Sequence, residues 1–223
     1  MNDTLQQIAI WVLPVLFAIT AHEAAHGWVA LKLGDNTAQR LGRVTFNPIK
    51  HIDLIGTIML PLLMLMLSGF IFGWAKPVPV NWYNLRQPRR DMALVAIAGP
   101  GVNLCMAIAW ALIAKISLFV VMEGWFEPAI FFFYVGRAGI IINVILMILN
   151  LIPILPLDGG RILSSLLPPE IAAQFARSEP FGLIILVTLL ATGILGNTLN
   201  YMFDFAYIQI AKLVGILAPL SQI

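Results

Sequence analysis

Long apolar stretches dominate the chain, and the polar residues between them are confined to short segments. The apolar stretches lie at about 5–31, 54–73, 92–122, 129–155, 180–196 and 198–218. A helix needs about 20 consecutive apolar residues to cross a bilayer, whereas membrane strands show alternating patterns. The pattern therefore predicts an all-α membrane protein, a polytopic helical bundle of about five to six transmembrane helices.

The chain between the first and third apolar stretches has a different character. Residues 34–53 are polar and contain Gly and Asn, and residues 43–46 could form a short strand. Pro77 and Pro79 exclude a regular helix over 73–81 and favour extended backbone. We therefore expect a short strand-containing or re-entrant insertion after the first helix.

Composition supports a membrane location and excludes several other classes. The chain is 60% hydrophobic and 11% charged, whereas soluble domains carry about 25% charged residues. Cys105 is the single cysteine, which excludes an intrachain disulfide. No basic tract indicates a nucleic-acid partner, so the lipid bilayer is the expected surrounding. The N-terminus lacks a positively charged segment, and the first stretch is expected to be a retained span.

The distribution of charge predicts a topology. Basic residues gather after the first stretch and before the third, at Lys32, Arg40, Arg43, Lys50, Lys76, Arg86, Arg89 and Arg90. The 123–128 turn is acidic, so the positive-inside rule places both basic loops in the cytoplasm. A plain span at 54–73 would separate these loops. We therefore expect the chain to leave and return to the cytoplasmic side between 54 and 81, with the N-terminus outside and the C-terminus inside.

A metal-ligand motif lies inside the first apolar stretch. His22 and His26 are four residues apart and would share one helix face, so both can bind one metal ion. Glu23 can take a proton from an attacking water molecule. Ionisable groups near the bilayer centre cost roughly 2–3 kcal/mol each or more, and a metal site would offset this cost. The alternative is a pair of histidines packed against polar groups in a bundle.

A catalytic zinc ion usually has three protein ligands. The candidates for the third are His51, Asp53, Asp91 and Asp158. Asp158 follows two helix-breaking prolines and precedes Gly159 and Gly160, which permit a close backbone approach. Asp158 is therefore the preferred ligand, with a turn or capping role as its alternative.

Two motifs together resemble the site-2 protease family of intramembrane zinc metalloproteases. They are H-E-x-x-H at 22–26 and N-x-x-P-x-x-P-x-D-G at 150–159, and a third family-like segment lies at 98–103. The resemblance covers about residues 8–165. It implies a helical membrane bundle with a three-helix catalytic core and a strand-containing insertion.

The resemblance also implies a function. One Zn²⁺ per chain would be held by His22, His26 and Asp158, with Glu23 as the catalytic residue. The substrate would be a membrane-spanning protein, cut within or near the bilayer. We expect a single membrane metalloprotease domain over 1–223, with a catalytic core at about 5–165 and C-terminal helices at about 180–218. No appended PDZ or nucleotide-binding domain is expected, and the location would be a prokaryotic inner membrane with the active site toward the cytoplasm.

Two amides are candidates for binding the substrate backbone or the oxyanion. They are Asn150 and Asn103, and for both the alternative is a buried amide that bridges helices. Two other functions stay open: a membrane metal-binding or transport protein without hydrolysis, and an inactive scaffold. A diiron oxidase is disfavoured because the chain has only three histidines.

Overall fold

The structure, a computed structural model, describes residues 3–59 and 75–216. The helices are α1 (Asp3–Lys32), α2 (Thr37–Arg40), α3 (Pro88–Met122), α4 (Ala129–Asn150), α5 (Asp158–Leu166), α6 (Pro169–Ala176), α7 (Glu179–Ala191) and α8 (Gly196–Val214). Short helical turns also occur at Pro48–His51, Leu54–Met59 and Trp82–Asn84. The described part of the chain is thus helical, as predicted.

Within the described part of the chain, the helices that qualify as membrane spans number fewer than the five to six predicted for the whole chain. Among the described residues, α1, α3 and α4 are long and apolar enough to cross a membrane, and α6 with α7, bent by 66°, could form a fourth span. These helices support an integral membrane protein, but the predicted number of five to six spans is not confirmed. The 54–73 stretch lies outside the described residues beyond Met59.

Local backbone chemistry decides where the helices end. The helix predicted over 129–155 stops at Asn150, because Pro153 cannot continue it and the chain turns before α5. α8 stops at Gly215, whose φ of 75° closes the last turn in the left-handed conformation.

The strand expected at 43–46 is not formed. This segment bends, and its polar groups pair with side chains instead of with another strand. The carbonyl of Thr45 accepts a hydrogen bond from His51 Nε2, and the Thr45 hydroxyl accepts one from the Asn47 amide. With these local partners satisfied, no strand pairing is needed within residues 3–59 and 75–216.

The core of the bundle is the contact between α3 and α4, and α1 packs against both. Small residues allow this close approach. A Cβ on Gly136 would lie 2.9 Å from the Ala114 Cβ, and one on Gly139 would lie 2.2 Å from the Trp110 ring. Backbones that approach through small residues gain van der Waals contact, which is the main attraction between helices in lipid.

Asp35 connects the end of α1 to the segment before α3. Its carboxylate is fully buried and accepts hydrogen bonds from the Thr37 amide and hydroxyl, the Asn81 amide and the Asn84 side chain. Burial alone would raise the pKa of Asp35, but these donors outweigh burial and lower its pKa below the ordinary value. The carboxylate therefore fixes the position of the 81–84 turn.

We expect Asp35→Asn to destabilise the protein by about 1–3 kcal/mol at neutral pH, because a charged acceptor of several hydrogen bonds is lost. Since the pKa of Asp35 is lower in the folded state, its stabilisation is present above the unfolded pKa near 4 and is lost as pH falls through the folded pKa. Thermal unfolding in detergent at pH 7 and pH 3 measures this difference. Glu127→Gln, in the exposed α3–α4 turn, is the control; equal melting of all three proteins at pH 7 would contradict the prediction.

Candidate metal centre

Three predicted ligands from two distant helices meet in one cluster. His22 and His26 project from α1, and Asp158 is the first residue of α5. One ligand atom from each lies within 4.8 Å of the others. All three residues are buried, with at most 9% of their surface exposed.

The turn between α4 and α5 brings Asp158 to the histidines. A Cβ on Gly159 would lie 2.2 Å from the Leu151 carbonyl oxygen, and one on Gly160 would lie 2.5 Å from the Ile154 carbonyl carbon. The sequence predicted a close backbone approach at these glycines. The structure shows that the approaching group is the backbone of the turn just before α5. Only glycine fits at either position, and the tight packing sets the start of α5.

The separations between donor atoms fit a tetrahedral zinc site. The two Nε2 atoms lie 3.1 Å apart, and the Asp158 oxygens lie 3.2 Å from His22 Nε2 and 3.4 Å from His26 Nε2. In a tetrahedron with zinc bonds of about 2.0–2.2 Å, neighbouring ligand atoms lie about 3.3–3.6 Å apart. The donor set therefore has the chemistry of a zinc site, and its separations are within about 0.2 Å of the tetrahedral values.

The other ring nitrogens define how the imidazoles point. His22 Nδ1 donates to Asn103 Oδ1 at 2.6 Å, and His26 Nδ1 donates to the Val95 carbonyl at 2.8 Å. Because both partners are acceptors, each Nδ1 carries the proton and each Nε2 presents a lone pair. The Asp158 Oδ2 accepts no hydrogen bond. Two imidazole lone pairs and a carboxylate therefore face one another, and a cation between them would stabilise this arrangement.

Asn103 has a different position from the one that an oxyanion donor would need. It has no exposed surface, and besides accepting from His22 it donates to Asn143 Oδ1 and to the Ala18 carbonyl. Asn143 in turn donates to the Gly139 carbonyl. This geometry fits the alternative given for Asn103, a buried amide that bridges helices and orients His22.

Gly99 forms the floor of the cluster. A Cβ at this position would lie 2.5 Å from His22 Cε1 and 2.5 Å from His26 Nε2. Any side chain would therefore enter the space between the imidazoles. Gly101, two residues later, has nothing within 4 Å of the same position.

Glu23 lies beside the cluster, in a pocket of about 130 Å³ that His22, His26 and Asp158 also line. Its Oε2 accepts a hydrogen bond of 2.7 Å from the Val78 amide. Val78 belongs to the segment 75–81, which is not helical, as Pro77 and Pro79 predict. This contact holds the carboxylate at the pocket wall, next to the ligand atoms.

The remaining sequence candidates have other contacts. Asn150 lines the same pocket, and its Nδ2 donates to the Leu146 carbonyl. His51 is buried but is not part of the ligand cluster found among the described residues. Asp53 accepts from the amides of the turn that follows it, and Asp91 accepts from the Gln87 amide at the start of α3.

Three contacts at the centre were not predicted from the sequence. They are the side-chain amide of Asn143, the backbone carbonyl of Val95 and the backbone N–H of Val78. The sequence could have indicated Asn143, because a polar residue inside the apolar run of α4 needs a buried hydrogen-bond partner. The two backbone groups carry none, since every residue but proline has both.

Comparison with known proteins agrees with the geometry. The family described as Peptidase family M50 matches residues 125–192. A protein of Bacillus subtilis named "Putative zinc metalloprotease YwhC" is 37% identical over 207 residues, covering 91% of this chain and 89% of that protein. Two proteins named "Putative zinc metalloprotease Rip2" match 91% of this chain. The Mycolicibacterium smegmatis protein is 29% identical with 77% of its length covered, and the Mycobacterium tuberculosis protein 30% with 75% covered. No solved structure matches.

The chain belongs to Peptidase family M50, the site-2 protease family, and is a membrane-associated zinc metalloprotease by that membership. The resemblance noted from the two motifs is confirmed. The matched residues 125–192 include the second motif, and the longer matches to the relatives extend over most of the chain.

We expect Gly99→Ala to reduce bound zinc at least tenfold, because the new methyl group would enter the space between the two imidazoles. Elemental analysis of the purified, monodisperse protein measures the metal. Gly101→Ala is the matched control, since it makes the same change one half-turn away in open space. Equal zinc in both variants would show that the imidazoles can move aside.

We expect Asn103→Leu to weaken zinc binding by about 10–100-fold, the usual effect of removing the partner of a ligand histidine. Competition with a chelator measures the affinity. Asn103→Asp keeps an acceptor for His22 Nδ1 and should retain more zinc than the leucine variant. The same affinity in wild type and Asn103→Leu would mean that the 2.6 Å contact does not orient His22.

Proposed function

We propose that this protein is an intramembrane endopeptidase that binds one zinc ion per chain and hydrolyses peptide bonds of membrane-spanning proteins. The residues proposed to perform the reaction are His22, His26, Asp158 and Glu23. The whole chain, 1–223, would form a single membrane metalloprotease domain.

The depth of the ligand cluster along α1 carries this proposal. α1 ends at Lys32, and with a rise of 1.5 Å per residue His26 and His22 lie about 9 Å and 15 Å before that end. The hydrocarbon core of a bilayer is about 30 Å thick. A peptide bond that reaches this cluster would therefore be cut inside the membrane.

Each ligand residue has a defined task. His22 and His26 would present Nε2 to the metal, and Asp158 would complete a three-ligand site that leaves one position for water or substrate. When bound, zinc would polarise the scissile carbonyl and lower the pKa of a water molecule to about 7.

Glu23 would move the proton. Its carboxylate would take a proton from the attacking water and deliver it to the leaving amine. The hydrogen bond from the Val78 amide keeps one carboxylate oxygen fixed, so the other oxygen is the one that would exchange the proton.

The extended segment beside the pocket offers a place for the substrate. A helical substrate hides its carbonyl groups in hydrogen bonds, so it must unwind before cleavage. Pro77, Val78 and Val80 line the pocket, and an unwound strand could lie along this segment in the manner of strand addition. Asn150, at the same pocket, is the candidate donor to the substrate backbone or the oxyanion.

The proximity of Asp158 to α1 also supports the proposed topology. If both basic loops face the cytoplasm, the α4–α5 turn reaches the same side of the membrane as the basic end of α1. The separations of 3.2 Å and 3.4 Å between Asp158 and the histidines support this arrangement. We propose that the active site faces the cytoplasm, in a prokaryotic inner membrane.

A non-hydrolytic metal-binding or transport protein would use the same three ligands. It would give Glu23 no task, although the Val78 amide holds this carboxylate next to the ligand atoms. The effect of removing the Glu23 charge therefore distinguishes the two functions.

We expect Glu23→Gln to retain zinc and to lose at least about a hundredfold of peptidase activity, because general-base catalysis typically contributes 10²–10⁴-fold. In parallel, Asp158→Ala should lose most of the zinc. Elemental analysis and cleavage of a reconstituted membrane-helix substrate give the two readouts.

Two results would contradict the proposal. Full activity of Glu23→Gln would remove the general base from the scheme. Zinc bound normally by Asp158→Ala would place the third ligand elsewhere, with Asp53 or His51 as the next candidates. Glu170→Gln, which changes an exposed glutamate at the start of α6, controls for the loss of one negative charge.

A further inference from the structure

A second, larger pocket also adjoins the segment 76–79, which contributes Lys76, Pro77 and Pro79 to its lining. Its volume is about 540 Å³, and its cations are Arg43, Lys50 and Lys76. The described residues that line it include no acidic side chain. The pocket is therefore a concave surface of positive charge, separate from the proposed catalytic residues.

One cation of the pocket is built into the fold. Arg43 is 8% exposed, and it donates to the carbonyls of Lys76 and Pro77 while its buried Nε has no hydrogen-bond partner. Lys50 and Lys76 are exposed. A fixed guanidinium flanked by two free ammonium groups suits a phosphate, which offers several acceptor oxygens.

Apolar side chains surround these cations and are also exposed. Leu41, Ile49 and Ile52, which line the pocket, expose 61%, 74% and 36% of their surfaces. Exposed apolar side chains in one region indicate contact with a membrane or a partner. Alternating apolar and basic residues are typical of segments that lie at the headgroup level.

The height of this region along α1 agrees with such a location. Gly27 packs against Val44 and Val78, and it lies about 7–8 Å before Lys32 along the helix. The Lys32 ammonium lies 5.6 Å from the centre of the Trp28 ring, and tryptophan and lysine are typical of the membrane interface. These contacts place the basic pocket beside the last turns of α1, next to residues that favour the membrane interface.

We propose that this pocket binds the phosphate headgroup of an anionic phospholipid, with Arg43, Lys50 and Lys76 around the phosphate and Leu41, Ile49 and Ile52 against the acyl chains. A volume of about 540 Å³ is within the usual range for small-molecule sites. Pro77 lines both this pocket and the metal-centre pocket. A bound lipid would thus contact Pro77. The following residue, Val78, donates the hydrogen bond that holds Glu23.

The test uses the full-length protein in a neutral detergent, titrated with phosphatidylglycerol or phosphatidylcholine, with bound lipid counted by native mass spectrometry. We expect saturable binding of phosphatidylglycerol. The variant with both Lys50→Gln and Lys76→Gln should bind it roughly thirtyfold more weakly, since each cation near an anionic lipid contributes about a factor of five. Both side chains are exposed, so zinc content and melting temperature should stay unchanged.

The control variant carries Arg86→Gln and Arg90→Gln, which remove two exposed cations outside the pocket. It should bind phosphatidylglycerol as the wild type does. Equal weakening in both double variants would overturn the proposal by showing a general charge effect. Equal binding of the two lipids would overturn it as well, and so would full displacement of the lipid by inorganic phosphate or an acidic peptide at similar concentration. The readout does not depend on proteolysis, so it can fail or succeed independently of the proposed function.

Discussion

The bundle is organised around three buried polar residues, the proposed metal ligands, whose polar groups need partners inside apolar surroundings. His22, His26 and Asp158 are buried, and unpaired ionisable groups at membrane depth are unfavourable by several kcal/mol. The neighbouring helices meet this demand. α3 supplies the Val95 carbonyl and the Asn103 amide, and α4 supplies Asn143 behind them. The ligand cluster therefore determines polar positions on helices that contribute no ligand.

The packing around these buried residues also explains why glycine occupies three nearby positions. Gly99 leaves open the space between the imidazoles, and Gly159 and Gly160 let α5 start against the preceding turn. In each case the limiting contact is with a ligand or with backbone, which cannot move aside. The cluster thus depends as much on absent Cβ atoms as on the ligands that meet there.

The segment 75–81 links Glu23, beside the cluster, to His51 and Asp35 without any strand pairing. The Lys76 amide donates to the His51 carbonyl, the Val78 amide donates to Glu23, and the Asn81 amide donates to Asp35. Arg43 binds two of its carbonyls. Each contact uses a residue distant in sequence, so the segment is fixed by tertiary partners along its length. These contacts hold the segment in an extended conformation without a neighbouring strand.

The sequence by itself determined the helical membrane class and the pairing of His22 with His26. Run length and the four-residue helix spacing are local properties, and the two-proline turn with its glycines marked Asp158. Tertiary structure decided that Asn103 supports His22 across 81 residues, that Val78 holds Glu23 across 55, and that Gly99 lies against both imidazoles. It also replaced the expected strand at 43–46 with side-chain contacts. These outcomes depend on which residues, distant in sequence, come into contact when the helices pack. Local residue patterns do not specify those contacts.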